Sequence, residues 1–419
     1  MGLERLMSEL VALGQLGRPS NKKVAKYEDL SSEKGLWRME GTAYCHQSRD
    51  YVVKRMKAAG LEVRFDPVGN IFAHKAGTKP EKNAVMLGSH IDSVKNGGQF
   101  DGPLGVMTAL EAVRILNEEE FSNSRPIEIA VFAAEEGSAF KQALLGSDVV
   151  IGNKSAEAAL RMKNEEGRTL AEALGNYCGD YMLDLEGLEY FIELHPEQGP
   201  ILDREQIPIG IVENITGITW LHTQITGEEN HAGTTPMHMR KDALVAAADL
   251  VTHIYQRAQA FANQQGSSTV ATVGHLEVHP SAPNIVPGQV KVNIDVRDGI
   301  NENIKKLRAE ILNYIQELQD KFNVEIKTST LFHKDPTPCS QEVVRAIELA
   351  AEDLRMPYKK MNSGAGHDAQ NMAKKVKSSM IFVPSMNGIS HSPLEWTEWA
   401  YVEKGLHVLT RTLKDLCQR

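Results

Sequence analysis

The sequence is poor in the features that mark several protein classes. Its four cysteines, Cys45, Cys178, Cys339 and Cys417, stand far apart with no CxxC pair. That spacing excludes a dense disulfide framework and reads as reduced thiols of a cytosolic protein. No run of about 18 apolar residues occurs, so no segment is expected to span a membrane. The opening stretch, MGLERLMSELVALGQLG, lacks a basic region followed by a long apolar one. No signal peptide is read there, and the cytoplasm is the expected compartment. The net charge is −9, without the basic balance that nucleic acid binding calls for. GxxxxGK(S/T), HExxH and GxSxG are all missing. Gly364-Ala365-Gly366 followed by Ala369 matches a dinucleotide fingerprint only loosely, and no strand is read before it.

What is present is an ordinary globular composition. The 419 residues, 42% hydrophobic and 24% charged, suffice for two or three domains with buried cores. Apolar runs at 84–90, 127–134 and 190–195 read as strands buried on both faces. Apolar residues at positions 106, 107, 110, 113 and 116 predict a helix over 104–117. Residues 156–175 are expected to form another helix. After about residue 212 the pattern changes to alternating strands and two long amphipathic helices, 241–264 and 301–322. From about 330 the buried pattern returns. The expected architecture is α/β: a catalytic domain of helices packed on a mixed sheet, formed by 1–211 and 330–419. It is interrupted by a smaller α+β, ferredoxin-like domain over 212–329.

Histidines and carboxylates recur at the ends of the apolar strands. His90 closes the first, Glu135 and Glu136 follow the second, His195 closes the third, and His391 follows a strand at 380–384. Asp101 opens the helix at 104. In an open α/β sheet such positions converge on one crevice. Paired glutamates after a buried strand cost energy unless a positive charge compensates, and a divalent cation supplies one. Imidazole with carboxylate suits zinc, with manganese, cobalt or nickel also compatible. The set suffices for two metals. One glutamate of the pair is then free to serve as general base, and Asp92 is placed to orient His90.

The motifs GSHIDSV, GGQFDGPLG, EEGSAF, ELHPEQG, HAGTTPM, DVRD, SGAGHDA and GISHSP together resemble the M20-type dinuclear metallohydrolases. More narrowly, they resemble the hydantoinase/carbamoylase branch, which acts on N-carbamoyl-L-amino acids, allantoate and related ureido acids. The resemblance implies His90 and His195 on one metal, Glu136 and His391 on the other, Asp101 bridging, and Glu135 as catalytic base. It implies His231, Asn284 and Arg297 as substrate-binding residues, His231 also serving catalysis, with Gln198 and Gly388 as further candidates. It also implies a homodimer formed through the inserted domain. Pro196 departs from the branch, whose members usually carry Ile after the metal-site histidine.

The expected activity is hydrolysis of a terminal ureido group on a small carboxylic acid, foremost an N-carbamoyl-L-amino acid, using two divalent metal ions. Allantoate is the alternative substrate. An N-acyl amino acid hydrolase and a non-catalytic metal-binding module are further alternatives. The Arg297 guanidinium offers a planar fork for the substrate carboxylate, and His231 an oxyanion donor. Neither nucleic acid nor membrane is an expected partner.

Overall fold

The computed structural model describes residues 2–19, 23–31, 35–264 and 267–419. The chain divides into two compact units. The first comprises Met1–Glu213, Pro338–Met361 and Ala365–Arg419; the second comprises Asn214–Thr337 with Asn362–Gly364. The return crossing lies at 337/338 rather than 329/330, because the last strand of the second unit runs on to Lys334. No helix among the described residues is long and apolar enough to cross a membrane.

The first unit is built on a mixed sheet. Its order is Glu62–Phe65, Ile71–Lys75, Ile127–Phe132, Ala84–His90, Leu188–Pro196, Lys377–Val383, Ile209–Ile215 and Thr337–Pro338. The four central strands, from Ile127–Phe132 to Lys377–Val383, run parallel. Their side chains are buried on both faces almost throughout, which accounts for the continuous apolar runs. Parallel direction brings their carboxyl ends to one edge, and register keeps them level: His90 pairs with Phe132, and His195 with Phe382. The helix Pro103–Glu118 packs on this layer, starting from Gly102. A Cβ at Gly102 would lie 2.5 Å from the His90 ring, and its φ of +81° is one that glycine adopts freely.

Two local expectations change. The helix read over 156–175 is two short ones, Ala156–Leu160 and Leu170–Leu174. The turn between them closes at Gly167, φ +83°, and Thr169 caps the second. A strand, Tyr358–Ser363, does precede Gly364. It is paired to Ile209–Ile215 and leads only to a five-residue helix, Asp368–Met372, so no dinucleotide-binding βαβ unit follows from it.

The second unit is ferredoxin-like. Four antiparallel strands lie in the order Glu325–Lys334, Gly217–Thr226, Gln289–Asp298, Val270–His279. Val290, Val292, Ile294 and Val296 alternate inward against the helices Ala243–Ala262 and Asn301–Phe322. Asn293, Asp295 and Arg297 take the opposite face.

Candidate metal centre

The ends of the parallel strands bring the predicted ligands together. His90, Asp101 and His195 form one group of ligand atoms within 4.8 Å of one another; Asp101, Glu136 and His391 form a second. Asp101 is shared, and its two oxygens divide the work. Oδ1 lies 3.5 Å from His90 Nε2 and 3.2 Å from His195 Nε2, whereas Oδ2 lies 3.2 Å from His391 Nε2. Glu136 Oε2 stands 3.3 Å from the same His391 nitrogen. His391 adopts φ +52° and its side chain is half-exposed; the other four are buried or nearly so.

The backbone sets the tautomers of the two buried histidines. His90 Nδ1 is 3.1 Å from the carbonyl oxygen of Asp92, and His195 Nδ1 is 3.0 Å from that of Pro196. A carbonyl only accepts, so each Nδ1 carries the proton and each Nε2 presents a lone pair. Both lone pairs face a carboxylate oxygen, and His195 Nε2 is a buried nitrogen without a hydrogen-bond partner. A divalent cation between these atoms removes the conflict, and the nitrogen and oxygen donors fit one. Among the described residues, no lysine or arginine lies within 4 Å of the Asp101, Glu135 or Glu136 carboxylates. Pro196 sits within its strand and supplies the carbonyl that any residue would, so the departure at this position leaves His195 anchored.

The charges respond to burial and to one another. Burial, reinforced by Asp101, pushes the Glu136 carboxyl well above the usual range. Burial also raises Glu135, against the pull of His90, whose Nε2 is 3.5 Å from Glu135 Oε2. Burial would raise Asp101 as well, but His195, His391 and His90 hold it well below; this is the pull of protonated imidazoles, whose charge stands where a cation's would with the neutral tautomers.

Asp92 meets His90 and also does more. Its carboxylate is 3.5 Å from His90 Nδ1, and that nitrogen donates to the Asp92 backbone carbonyl at 3.1 Å. The carboxylate also accepts the backbone N–H groups of Glu135 and Glu136, one per oxygen, at 3.2 Å each. Gln198 donates to Asp101 Oδ2 at 2.8 Å and to Ser390 Oγ at 3.1 Å, steadying the shared carboxylate. Gly388 lies in the 386–388 turn, against Pro200.

His231, Asn284 and Arg297 belong to the second unit. The short strand Asn230–His231 pairs with Ile285–Val286, and Ala232 N–H donates to the Asn284 carbonyl, so His231 and Asn284 are neighbours. His231 Nδ1 accepts from the N–H groups of Gly233 (3.0 Å) and Thr234 (3.2 Å), which leaves Nε2 as the protonated, donating nitrogen of an exposed ring. Arg297 is clamped by Asp295 through Nε and Nη2 at 2.8–3.2 Å and donates Nη1 to the Gly364 carbonyl at 3.1 Å. Two of its five N–H donors remain for a ligand. Trp220 Nε1 also holds Asp295, at 2.8 Å. Trp220, Asp295, Arg297 and Gly364, with Val270 and Leu331, line an open pocket of about 580 Å³, of whose lining His231 and Asn284 are not part.

Sequence reasoning passed over several buried groups around the centre. Glu193 lies inside an apolar strand, where a lone carboxylate is itself a signal; it accepts from Ser89 Oγ at 2.7 Å and from Ala369 N–H at 2.9 Å. His367 is buried, its ring 4.5 Å from that of His195. Asp368 opens the helix Asp368–Met372, and its buried carboxyl is raised well above its range by desolvation and by Glu193.

The model of the family described as peptidase family M20/M25/M40 matches residues 86–415. An N-carbamoyl-L-amino-acid amidohydrolase of Paenarthrobacter aurescens is 38% identical over 402 residues, covering 94% of this chain and 97% of the relative. An allantoate amidohydrolase of Escherichia coli is 33% identical, over 87% of this chain and 88% of the relative. A crystal structure of a hydantoinase/carbamoylase family amidase from Burkholderia multivorans superposes with a TM-score of 0.90 at 31% identity. The match covers 100% of this chain and 98% of that one.

Proposed function

The chain belongs to peptidase family M20/M25/M40, and on that premise we propose that it cleaves the terminal ureido group of an N-carbamoyl-L-amino acid. The products are the amino acid, ammonia and carbon dioxide. It is a hydrolase of carbon–nitrogen bonds in linear amides. The observation that carries the reading is the shared Asp101 carboxylate between two donor groups, with the orphan Nε2 of His195 beside it. His90, Asp101 and His195 would hold one divalent ion, and Asp101, Glu136 and His391 a second. Zinc suits the donors, and manganese, cobalt or nickel are compatible. Bound there, such ions supply Lewis acidity toward the carbonyl and toward water.

The protein's own residues do the rest. Glu135 takes the proton of the attacking water on its carboxylate and returns it to the departing nitrogen. The Asp92 carboxylate fixes the backbone from which Glu135 projects. His231 presents its Nε2–H to the developing oxyanion. Arg297, held flat by Asp295, meets the substrate carboxylate with its remaining N–H donors, and Asn284 adds an amide. A homodimer through the second unit is supported by the two open edge strands of its sheet, Val270–His279 and Glu325–Lys334.

The relative of Escherichia coli favours a second reading, allantoate. One panel separates them: zinc- or manganese-loaded protein with N-carbamoyl-L-amino acids, allantoate and N-acetyl-L-amino acids. Equal amounts of ammonia and amino acid from the first, abolished by a chelator, support the proposal. Ammonia from allantoate alone selects the second reading. Free amine from N-acetyl compounds without ammonia from any ureido acid overturns both.

A further inference from the structure

Residues 133–136 carry the base and a metal ligand on consecutive positions, and their backbone is held in an unusual way. Each of the four N–H groups is taken by a side chain from elsewhere in the chain. Ala133 donates to Asn70 Oδ1 at 2.8 Å, Ala134 to Glu40 Oε2 at 3.2 Å, and Glu135 and Glu136 to the two oxygens of Asp92 at 3.2 Å. On the other side the carbonyls of Ala133, Ala134 and Glu135 accept from the N–H groups of Gly146, Leu145 and Leu144. Ala134 sits at φ +51°, a region that residues with a Cβ rarely adopt. Such a conformation persists when its surroundings over-determine it.

The acceptors are themselves held. Glu40 Oε2 also receives Arg49 Nη2 at 2.6 Å, and Arg49 Nη1 donates to the Gly69 carbonyl. Asn70 Nδ2 donates to Asp66 Oδ2 at 2.6 Å and to the Gly146 carbonyl at 3.1 Å. Glu40, Arg49, Asp66 and Asn70 are all buried. None of them is part of the ligand groups at the metal centre.

We infer that Glu40 and Asn70 are positioning residues for the metal centre: by fixing the N–H groups of Ala134 and Ala133 they aim the Glu135 and Glu136 carboxylates into one site. The ion pair with Arg49 and the bond that Asn70 Nδ2 donates to Asp66 keep each acceptor oxygen in place. The two glutamates project from adjacent residues, so a small rotation of this backbone would move both. A misplacement of about 1 Å at a reacting group can cost on the order of a hundredfold in rate.

Two double variants separate this role from bulk stability. Glu40→Ala with Arg49→Met and Glu40→Gln with Arg49→Met both remove the ion pair without leaving a lone buried charge. Only the second keeps an oxygen for the Ala134 N–H. Metal-free protein is titrated with Zn²⁺ alone, and kcat and KM are measured on N-carbamoyl-L-amino acid, using protein with native near-UV circular dichroism. The alanine double should bind one metal equivalent about tenfold more weakly and lose about tenfold in kcat, with KM within about threefold. The glutamine double should stay within about threefold of the parent in all three. Asn70→Ala should follow the alanine double, and it decides the matter alone if that double does not fold. Parental metal affinity and kcat in the alanine double or in Asn70→Ala would overturn the inference, as would equal losses in the two doubles. The Zn²⁺ titration needs no substrate, so an error in the substrate class would show separately, as a parent protein without turnover.

Discussion

Glu395 accepts the backbone N–H of Asp101 at 3.0 Å, across 294 residues of sequence. The same oxygen takes the N–H of Phe100 at 3.0 Å, and the other accepts from Ser390 Oγ at 3.1 Å, beside His391. One buried carboxyl thus ties the loop of the shared ligand to the loop of the half-exposed one. Glu395→Ala strands two buried N–H groups, at about 1–3 kcal/mol each. The expected result is a lower Tm and weaker metal binding, whereas Glu395→Gln, which keeps an acceptor oxygen, retains most of both. Gly98→Ala should resemble the alanine variant, because its Cβ would lie 2.3 Å from the Glu395 carboxyl carbon. Thermal unfolding with and without Zn²⁺ reads all three.

Metal content should divide by group. Asp101 belongs to both donor groups and His391 to one. Asp101→Ala is therefore expected to lose both equivalents, and His391→Ala only one. Metal analysis of the dialysed variants checks this. Equal content in the two would contradict the shared carboxylate.

Arg297→Ala should act mainly on KM. A charged hydrogen bond contributes about 1.5–3 kcal/mol, so KM should rise roughly 10- to 100-fold with kcat much less affected. Arg297→Lys should not restore it, because an ammonium lacks the planar fork that Asp295 holds. Steady-state kinetics on a ureido acid decides.

Asp66 gives a pH dependence of stability. Burial raises its carboxyl to about 6, against hydrogen bonds from Asn70 and Val68 and the charge of Arg49 nearby; the Cys178 thiol lies within its field. Between the unfolded value of about 4 and the folded value, the native state holds a proton that the unfolded chain has released. Stability therefore falls as pH rises through this window, and Asp66 is a net cost above it. Whatever its fixed offset, Asp66→Asn should show a Tm that improves relative to the parent from pH 4 to pH 7. A constant difference would contradict the assignment.

How much was legible in the sequence follows from how far each role reaches. His90, His195 and the Glu135–Glu136 pair stand out because parallel strands bury continuous apolar runs and polar residues appear where the runs end. The second unit was readable for a similar reason: strict alternation over 289–298 marks one covered and one open face. Glu395, Glu40 and Asn70 have no local pattern, since the backbone N–H groups they hold at the site lie 63 to 295 residues away. Asp92 was legible as a residue of the site but not in its bonds to Glu135 and Glu136, because two residues from His90 it also meets a different strand's amides. The helix expected over 156–175 failed because good helix formers flank a turn that Gly167 closes.

The central claim is that a metal centre works through Glu135 as base, and Glu135→Gln tests it in one preparation. Ammonia release from N-carbamoyl-L-amino acid and bound metal are measured together on parent and variant. The account predicts a fall in kcat of about a hundredfold or more with the metal content unchanged. Turnover near the parental rate with full metal content would contradict it.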